Sequence, residues 1–415
     1  MGDESHFKPY EQDQGALFPA FLADALDPSD PAFFVQDAVE GLDLRAFEAR
    51  YAMLGERAYA PRLMLKLWLY AATQGVYSGR EIARRIRRDV GFRYLAGSGH
   101  HPDFRTINRF RVRHREDFAE VFRQTVRLAR ASGLGALGVV TIDGTKIRAN
   151  TSKHKAMSHG RMREAEEKLE REIASILARQ DQENAEEERE HGDDDDGSGG
   201  LPVELQDAQR RREKIRAARE QLEAEKGERL EARHQKSFAD PQAQMMKLGD
   251  GALQYAYNAQ AAVSEDGLIV ATGLSTKVKD EDHLVPMTEA VRKTTGRRPG
   301  QVLADKGYLS ERGLWEMRRR RQPCLIAVGR EGKKLPKWPR GRCTQRMHRL
   351  LRFPWAKRSY ARRKTQGERP FAEIKAVMGF RRFMLRGVHK VRGEWDLVCA
   401  AFNLRRLAMR AAATI

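Results

Sequence analysis

Apolar and polar positions follow three different rhythms along this chain. From residue 60 the rhythm is helical. In PRLMLKLWLYAATQG the apolar residues recur around Leu63, Leu65, Leu67 and Tyr70, with Pro61 suited to a first turn and Gly75 to an end. Ser78 and Glu81 have capping-box spacing ahead of EIARRIRRDVGFRYL, where Ile82, Ile86 and Val90 face one way and Arg80, Arg84, Arg85, Arg87 and Arg88 dominate the rest. After the break GSGHHPDF, TINRFRVRHREDFAEVFRQTVRLARASG resumes the helical pattern. Residues 60–130 therefore predict several short helices with basic exposed faces, either a helix-turn-helix-like module or a plain bundle with a solvated Arg-rich face. An amphipathic helix is also predicted within FFVQDAVEGLDLRAFEARY.

At residue 137 the rhythm becomes that of strands. LGVVTIDGTKIRAN is a β-branched apolar run that predicts a buried strand ending at Asp143, a turn at Gly144, and a second extended piece. YAYNAQAAVSEDGLIVATGLST predicts two strands around a Glu265-Asp266-Gly267 turn. RPGQVLADKGYLS predicts a strand ending at Asp305, QPCLIAVG a fifth apolar run, and TQGERPFAEIKAVMGF a helix with Glu368 near its beginning.

Between these parts, residues 156–236 return to a helical but charged rhythm. Met162, Ala165, Leu169, Ile173 and Ile176 fall three or four apart, as do Leu205, Ala208, Arg212, Ile215, Ala218 and Leu222. Two helices joined by HGDDDDGSGG predict an antiparallel hairpin with a thin seam. The run Asp193 to Asp196 lacks the alternating ligand spacing of a calcium loop and reads as a polar tip.

Charge sharpens this picture. The 415 residues carry a formal net charge of +19, with 40% hydrophobic and 33% charged positions. That length predicts two or three domains, and the positive field points to a polyanionic partner, nucleic acid first. No run approaches the roughly 20 apolar residues that span a bilayer. The polar, acidic start MGDESHFKPYEQDQGALFPAF does not read as a secretory signal. Cys324, Cys343 and Cys399 are spaced as neither a disulfide framework nor a zinc site, in keeping with a reducing cytoplasm. Interleaved aromatic and basic residues at Phe104, Arg105, Asn108, Arg109, Phe110 and Arg111 point to DNA contact from the helical segment.

Phosphodiester transfer needs an activated oxygen nucleophile and a stabilised leaving oxygen, and two divalent ions held by converging carboxylates supply both. Asp143, Asp305 and Glu368 are the three acids whose placement suits that task. Taken singly, each is equally a turn residue or a helix-terminus acid. Glu373 and Glu394 read as structural; Asp280-Glu281-Asp282-His283 has the composition of a metal site but reads first as the cap of the helix DHLVPMTEAVRK, with proximity to the active site the lesser alternative.

These segments carry a resemblance. VTIDGTKIRANTSKHK is similar to the first-aspartate motif of DDE transposases from bacterial insertion sequences, and LADKGYLSERG to the second. YARRKTQGERPFAEIKAVMGFRRFMLRGVHKVRGEWDLVCAAFNLRR resembles their glutamate region, and ADPQAQMMKLGDGALQYAYNAQAAVSEDGLIVA their intervening strand block. The segment 60–115 resembles their N-terminal DNA-binding domain. The resemblance implies an α/β fold with a ribonuclease H-like core at 135–155 and 237–410. It implies a helical DNA-binding domain at 58–134 after an N-terminal segment 1–57, and a helical-hairpin insertion at 156–236. It implies Asp143, Asp305 and Glu368 as catalytic ligands of two Mg2+ ions, for which Mn2+ substitutes. A Tyr–Arg–Glu–Lys signature is filled by Tyr360, Arg363 or Lys364, Glu368 and Lys375. The Tyr-to-Glu part is one residue longer than usual, which leaves open whether Arg363 or Lys364 contacts phosphate. The implied partner is double-stranded DNA, both terminal inverted repeats and target, bound by a dimer near the bacterial nucleoid, with no membrane and no small-molecule substrate. A non-catalytic DNA-binding regulator and a related metal-dependent nuclease are the alternatives.

Overall fold

The computed structural model describes residues 21–51, 58–97, 99–151, 156–191, 203–329 and 341–412. The N-terminal part is helical: α1 (Pro31–Glu40), the single turn α2 (Arg45–Glu48), α3 (Pro61–Thr73), α4 (Gly79–Arg88), α5 (Val90–Ala96), α6 (Phe104–Arg113) and α7 (Phe118–Ala131). Pro61 opens α3, and Gly75 follows its end with a left-handed φ of 72°. Ser78 does precede α4, but its side chain makes no cap hydrogen bond, and Glu81 turns instead to Arg84 and Arg85.

The mixed sheet follows: β1 (Val139–Arg148), β4 (Gln244–Lys247), β5 (Leu253–Val263), β6 (Ile269–Ser275), β7 (Gln301–Ala304) and β8 (Cys324–Ile326). Its order is β4-β5-β1-β7-β8, with β6 also paired to β5. β1 runs antiparallel to β5 and parallel to β7, which is parallel to β8. The crossovers are α10 (Leu284–Thr295) between β6 and β7 and α11 (Glu311–Arg319) between β7 and β8. The β5–β6 hairpin turns at Gly267, where φ is 79°, as its sequence predicts.

After β8 come α12 (Arg342–Leu350), α13 (Pro354–Ala376) and α14 (Val388–Ala412). α13 and α14 cover the sheet face that carries Thr141 and Asp143, and α10 covers the other. α14 also packs against α3 and α7, so one continuous apolar core joins sheet and N-terminal helices.

Inserted between β1 and β4 are β2 (Ala156–Ser158), α8 (His159–His191), α9 (Val203–Lys226) and β3 (Gln235–Ser237). β2 and β3 pair as a small antiparallel base. Leu169, Ile173, Ile176, Leu205, Ala208 and Ile215 form the thin seam, and Arg219–Glu166 (2.8 Å) and Arg179–Glu204 (3.4 Å) set the helices antiparallel. The acidic run 193–196 lies outside the described residues.

Two expectations fail here for physical reasons. Asp143 does not end a strand: β1 continues through Asp143-Gly144 in unbroken register with Ala261 and Gln260. Gly144 serves close packing, because a Cβ there would collide with the Gln260 amide of β5. Glu368 does not begin a helix either. α13 starts at Pro354, suited to a first turn, and runs through Pro370, which forfeits one ladder hydrogen bond inside it.

Candidate active site

β1 aims Thr141, Asp143 and Thr145 at α13, since alternate residues share a strand face. The helix comes close because position 367 has no side chain. A Cβ on Gly367 would lie 2.9 Å from Thr141 Cγ2 and 3.2 Å from Asp143 Oδ2. Thr141 Oγ1 donates to Gln366 Oε1 at 3.0 Å, which fixes the rotation of α13 beside the aspartate.

That rotation buries Arg363, Gly367, Pro370, Phe371 and Ile374 and leaves Glu368 at the edge. The Arg363 side chain is only 9% exposed, and its guanidinium lies 4.0 Å from Asp143 Oδ2 and 3.9 Å from Glu368 Oε1. Lys364 points outward and is exposed. Tyr360, one turn before, lies under the Arg363 guanidinium (5.9 Å) and donates its hydroxyl to Ala304 O at 3.2 Å. Ala304 immediately precedes Asp305, so Tyr360 ties α13 to the end of β7. Lys375 is seven residues beyond Glu368 on the same helix edge and donates to Thr145 Oγ1.

Asp305 follows the last residue of β7, where its Oδ1 accepts the Gly307 amide at 2.9 Å. Burial pushes its carboxyl pKa up; the Gly307 hydrogen bond opposes the rise and Asp280 adds to it. Asp143 is pushed up to about 6. Burial dominates, the Gly144 amide opposes it, and Asp305 and Glu368 add to the rise against the pull of Arg363. The Asp143 side chain is 16% exposed, whereas Glu368 is 62% exposed.

Two aspartates thus converge, and the glutamate stands beside them across Arg363. Among the described residues, no three His, Cys, Asp or Glu side chains are gathered tightly enough to hold a metal ion as they stand. The donors are nevertheless all carboxylate oxygens, which suit hard divalent ions. The mutual repulsion that raises Asp143 is the kind a cation relieves.

Asp280 adjoins the site, the less favoured of the two places its sequence offered. It caps nothing: α10 begins after His283, whose side chain makes no cap hydrogen bond. Asp280 Oδ1 accepts from Asn258 Nδ2 (2.5 Å), Gln260 Nε2 (2.8 Å) and Lys146 Nζ (3.2 Å). The available signal was on β5, where Asn258 and Gln260 place two polar residues on one face of an otherwise apolar run.

The basic residues of the helical segment divide. Arg105 and Arg109 are exposed on α6. Arg111 is buried, and its reading as a DNA contact is corrected here. Its guanidinium pairs with buried Glu394 at 3.1 Å and lies 4.3 Å over the Trp68 ring. The helical repeat contained the clue, because Ile107, Phe110, Arg111 and His114 share the buried face of α6. Glu373 pairs with Arg405 (3.5 Å), in keeping with its structural reading. No described helix is long and apolar enough to cross a membrane.

Two family models match the chain. Residues 21–113 match a transposase domain (DUF772), and residues 204–404 match a transposase DDE domain. Asp305 and Glu368 lie inside the second match, and Asp143 lies between the two. No curated protein and no solved structure matches.

Proposed function

The chain belongs to the DDE transposases of insertion sequences, and on that premise we propose that it binds element ends, cleaves phosphodiester bonds and joins the freed 3′-hydroxyl to target DNA. The observation that carries this reading is the convergence of Asp143 and Asp305 from neighbouring parallel strands onto the helix that carries Arg363, Glu368 and Lys375. A ribonuclease H-like core is supported by the mixed sheet, with β6, β5 and β1 antiparallel and β7 and β8 parallel to β1.

In this reading Asp143, Asp305 and Glu368 hold two Mg2+ ions, or Mn2+ in their place. Such ions make an attacking water or hydroxyl nucleophilic and stabilise the leaving oxygen. Glu368 joins the aspartates by rotating its exposed side chain inward. The raised pKa of Asp143 means that a proton and a cation compete for its carboxylate near neutrality. Arg363 is the cation that faces the reacting phosphate, because its buried guanidinium lies between Asp143 and Glu368. Its planar fork suits a phosphate. Lys375 adds a second charge two turns along the same helix edge. α4 and α6 read the ends, with Arg105 and Arg109 on phosphates. The protein works as a dimer on paired ends in the bacterial cytoplasm.

The test is strand transfer by purified protein on linear DNA bearing the element ends with Mg2+ or Mn2+. Cleaved and joined products are expected. Cleavage without joining indicates a nuclease, and end binding without cleavage indicates a non-catalytic regulator.

A further inference from the structure

Asp280 lies across Gly307 from Asp305. A Cβ built on Gly307 would sit 3.2 Å from Asp280 Oδ2 and 3.1 Å from Asp305 Oδ1, so the two carboxylates lean on one glycine from two sides. The opposite oxygen of Asp280 accepts from Asn258, Gln260 and Lys146, and Lys146 Nζ also reaches Oδ2 at 3.4 Å. Asn258 and Gln260 are fully buried, and Gln260 accepts in turn from the hydroxyl of buried Tyr308, in the turn that follows Asp305. This network lies on the sheet face opposite Asp143, next to α10. One half-buried acid beside another is costly unless positive charge arrives, and Lys146 sits nearer Oδ1 (3.2 Å) than the Oδ2 that faces Gly307 (3.4 Å).

We propose that Asp280 is a positioning residue for the cation site: Lys146, Asn258 and Gln260 lock its carboxylate so that Oδ2 places a fixed negative charge behind Asp305, while Gln260 and Tyr308 hold the turn that aims Asp305. The inference rests on the reading of Asp143, Asp305 and Glu368 as cation ligands. It assigns Asp280 no contact with DNA and none with the ions. Its effect is through-space charge, together with the set of the Lys306–Tyr308 turn.

Two substitutions act on opposite ends of the Lys146–Asp280 pair and separate charge from damage. Asp280→Asn keeps an acceptor oxygen for the three donors and removes the charge. Lys146→Met keeps most of the side-chain volume and removes the opposing charge. Mn2+ affinity of the full-length protein is measured by isothermal titration calorimetry, with thermal melts as a check on folding. Asp280→Asn is expected to weaken Mn2+ binding about tenfold, and Lys146→Met to tighten it several-fold, since charges at this range interact appreciably in a partly buried setting. Loss of fold weakens binding in both variants and cannot give opposite signs. Unchanged affinity in both, or weakening in both, overturns the proposal. If Asp280→Asn melts early, Lys146→Met decides alone: tightening supports the proposal, and anything else overturns it. The underlying reading fails separately, and takes this one with it, if Asp143→Asn and Asp305→Asn bind Mn2+ as wild type does.

Discussion

Two places in this molecule bury charge between segments far apart in sequence, and they are built on opposite terms. In the first, Arg111 of α6 meets Glu394 of α14 at 3.1 Å, 283 positions away. Glu394 also accepts the Met384 and Leu385 amides at 3.0–3.1 Å, and Arg111 donates to Tyr77 O at 3.3 Å. In the second, Asp143 and Asp305 oppose each other, and Arg363 stands 3.9–4.0 Å from Asp143 and Glu368, too far for good hydrogen bonds. The first pair is closed and fastens the N-terminal helices to the core. The second is looser, with Asp143 and Asp305 repelling each other and Glu368 largely exposed beside them. A buried pair in direct hydrogen-bond contact reads as structure, and buried acids that also repel one another read as a place for a ligand.

The largest effect that separates the two is on catalysis. Asp143→Asn, Asp305→Asn and Glu368→Gln should each lower DNA cleavage by about 10^3-fold or more, because carboxylate-held ions supply several kcal/mol of transition-state stabilisation. Their thermal melts should be no lower than wild type. Arg111→Met should do the reverse. Leaving Glu394 buried without its partner costs about 3–5 kcal/mol of stability, read by urea denaturation, while specific activity per folded molecule stays near wild type. If Arg111→Met melts normally and abolishes cleavage, the contrast is broken.

A smaller effect concerns pH. The Asp143 carboxyl is raised from 3.8 to about 6 in the folded protein, so the folded state binds the extra proton between those values. Asp143's own contribution to the stability of the cation-free protein should therefore fall as pH rises from about 4 to about 6 and level off above that. Asp143→Asn should remove that contribution, leaving a difference from wild type that grows between pH 4 and 6, and stabilise the protein at neutral pH by on the order of 2 kcal/mol. Equilibrium denaturation across that range, with chelator present, measures both. Adding Mg2+ should restore wild-type stability, and its apparent affinity should weaken as pH drops through about 6. The smallest effect belongs to the exposed face of α6. Arg105→Ala and Arg109→Ala should each reduce the slope of log affinity for end DNA against log salt by about one, with the fold unchanged. Equal slopes in wild type and both variants would take α6 off the DNA.

The same contrast explains what was legible in the sequence. Asp305 and the β5–β6 hairpin were legible because their signals are local: a short apolar run closed by Asp, and a Gly that adopts positive φ. Asp143-Gly144 misled because Asp-Gly usually marks a turn, whereas this Gly makes room for Gln260 on the next strand. The length of α13 was hidden by Pro370, which normally marks a helix boundary. Without that length, the helix phase that separates Arg363 from Lys364 stayed open. Arg111 and Asp280 share one cause of failure. Their partners, Glu394 in one case and Lys146, Asn258 and Gln260 in the other, lie on distant elements, and a charge in a polar-looking run is read as exposed.

The central claim is that Asp143, Asp305 and Glu368 together hold the ions that act on DNA. Its most direct test is the anomalous scattering of Mn2+ in crystals of the protein bound to an element-end duplex. Mn2+ peaks enclosed by these three carboxylates are expected, with Glu368 turned inward from its exposed position. Peaks that contact the aspartates while Glu368 stays outside, or no peak at Asp143 and Asp305, would contradict it.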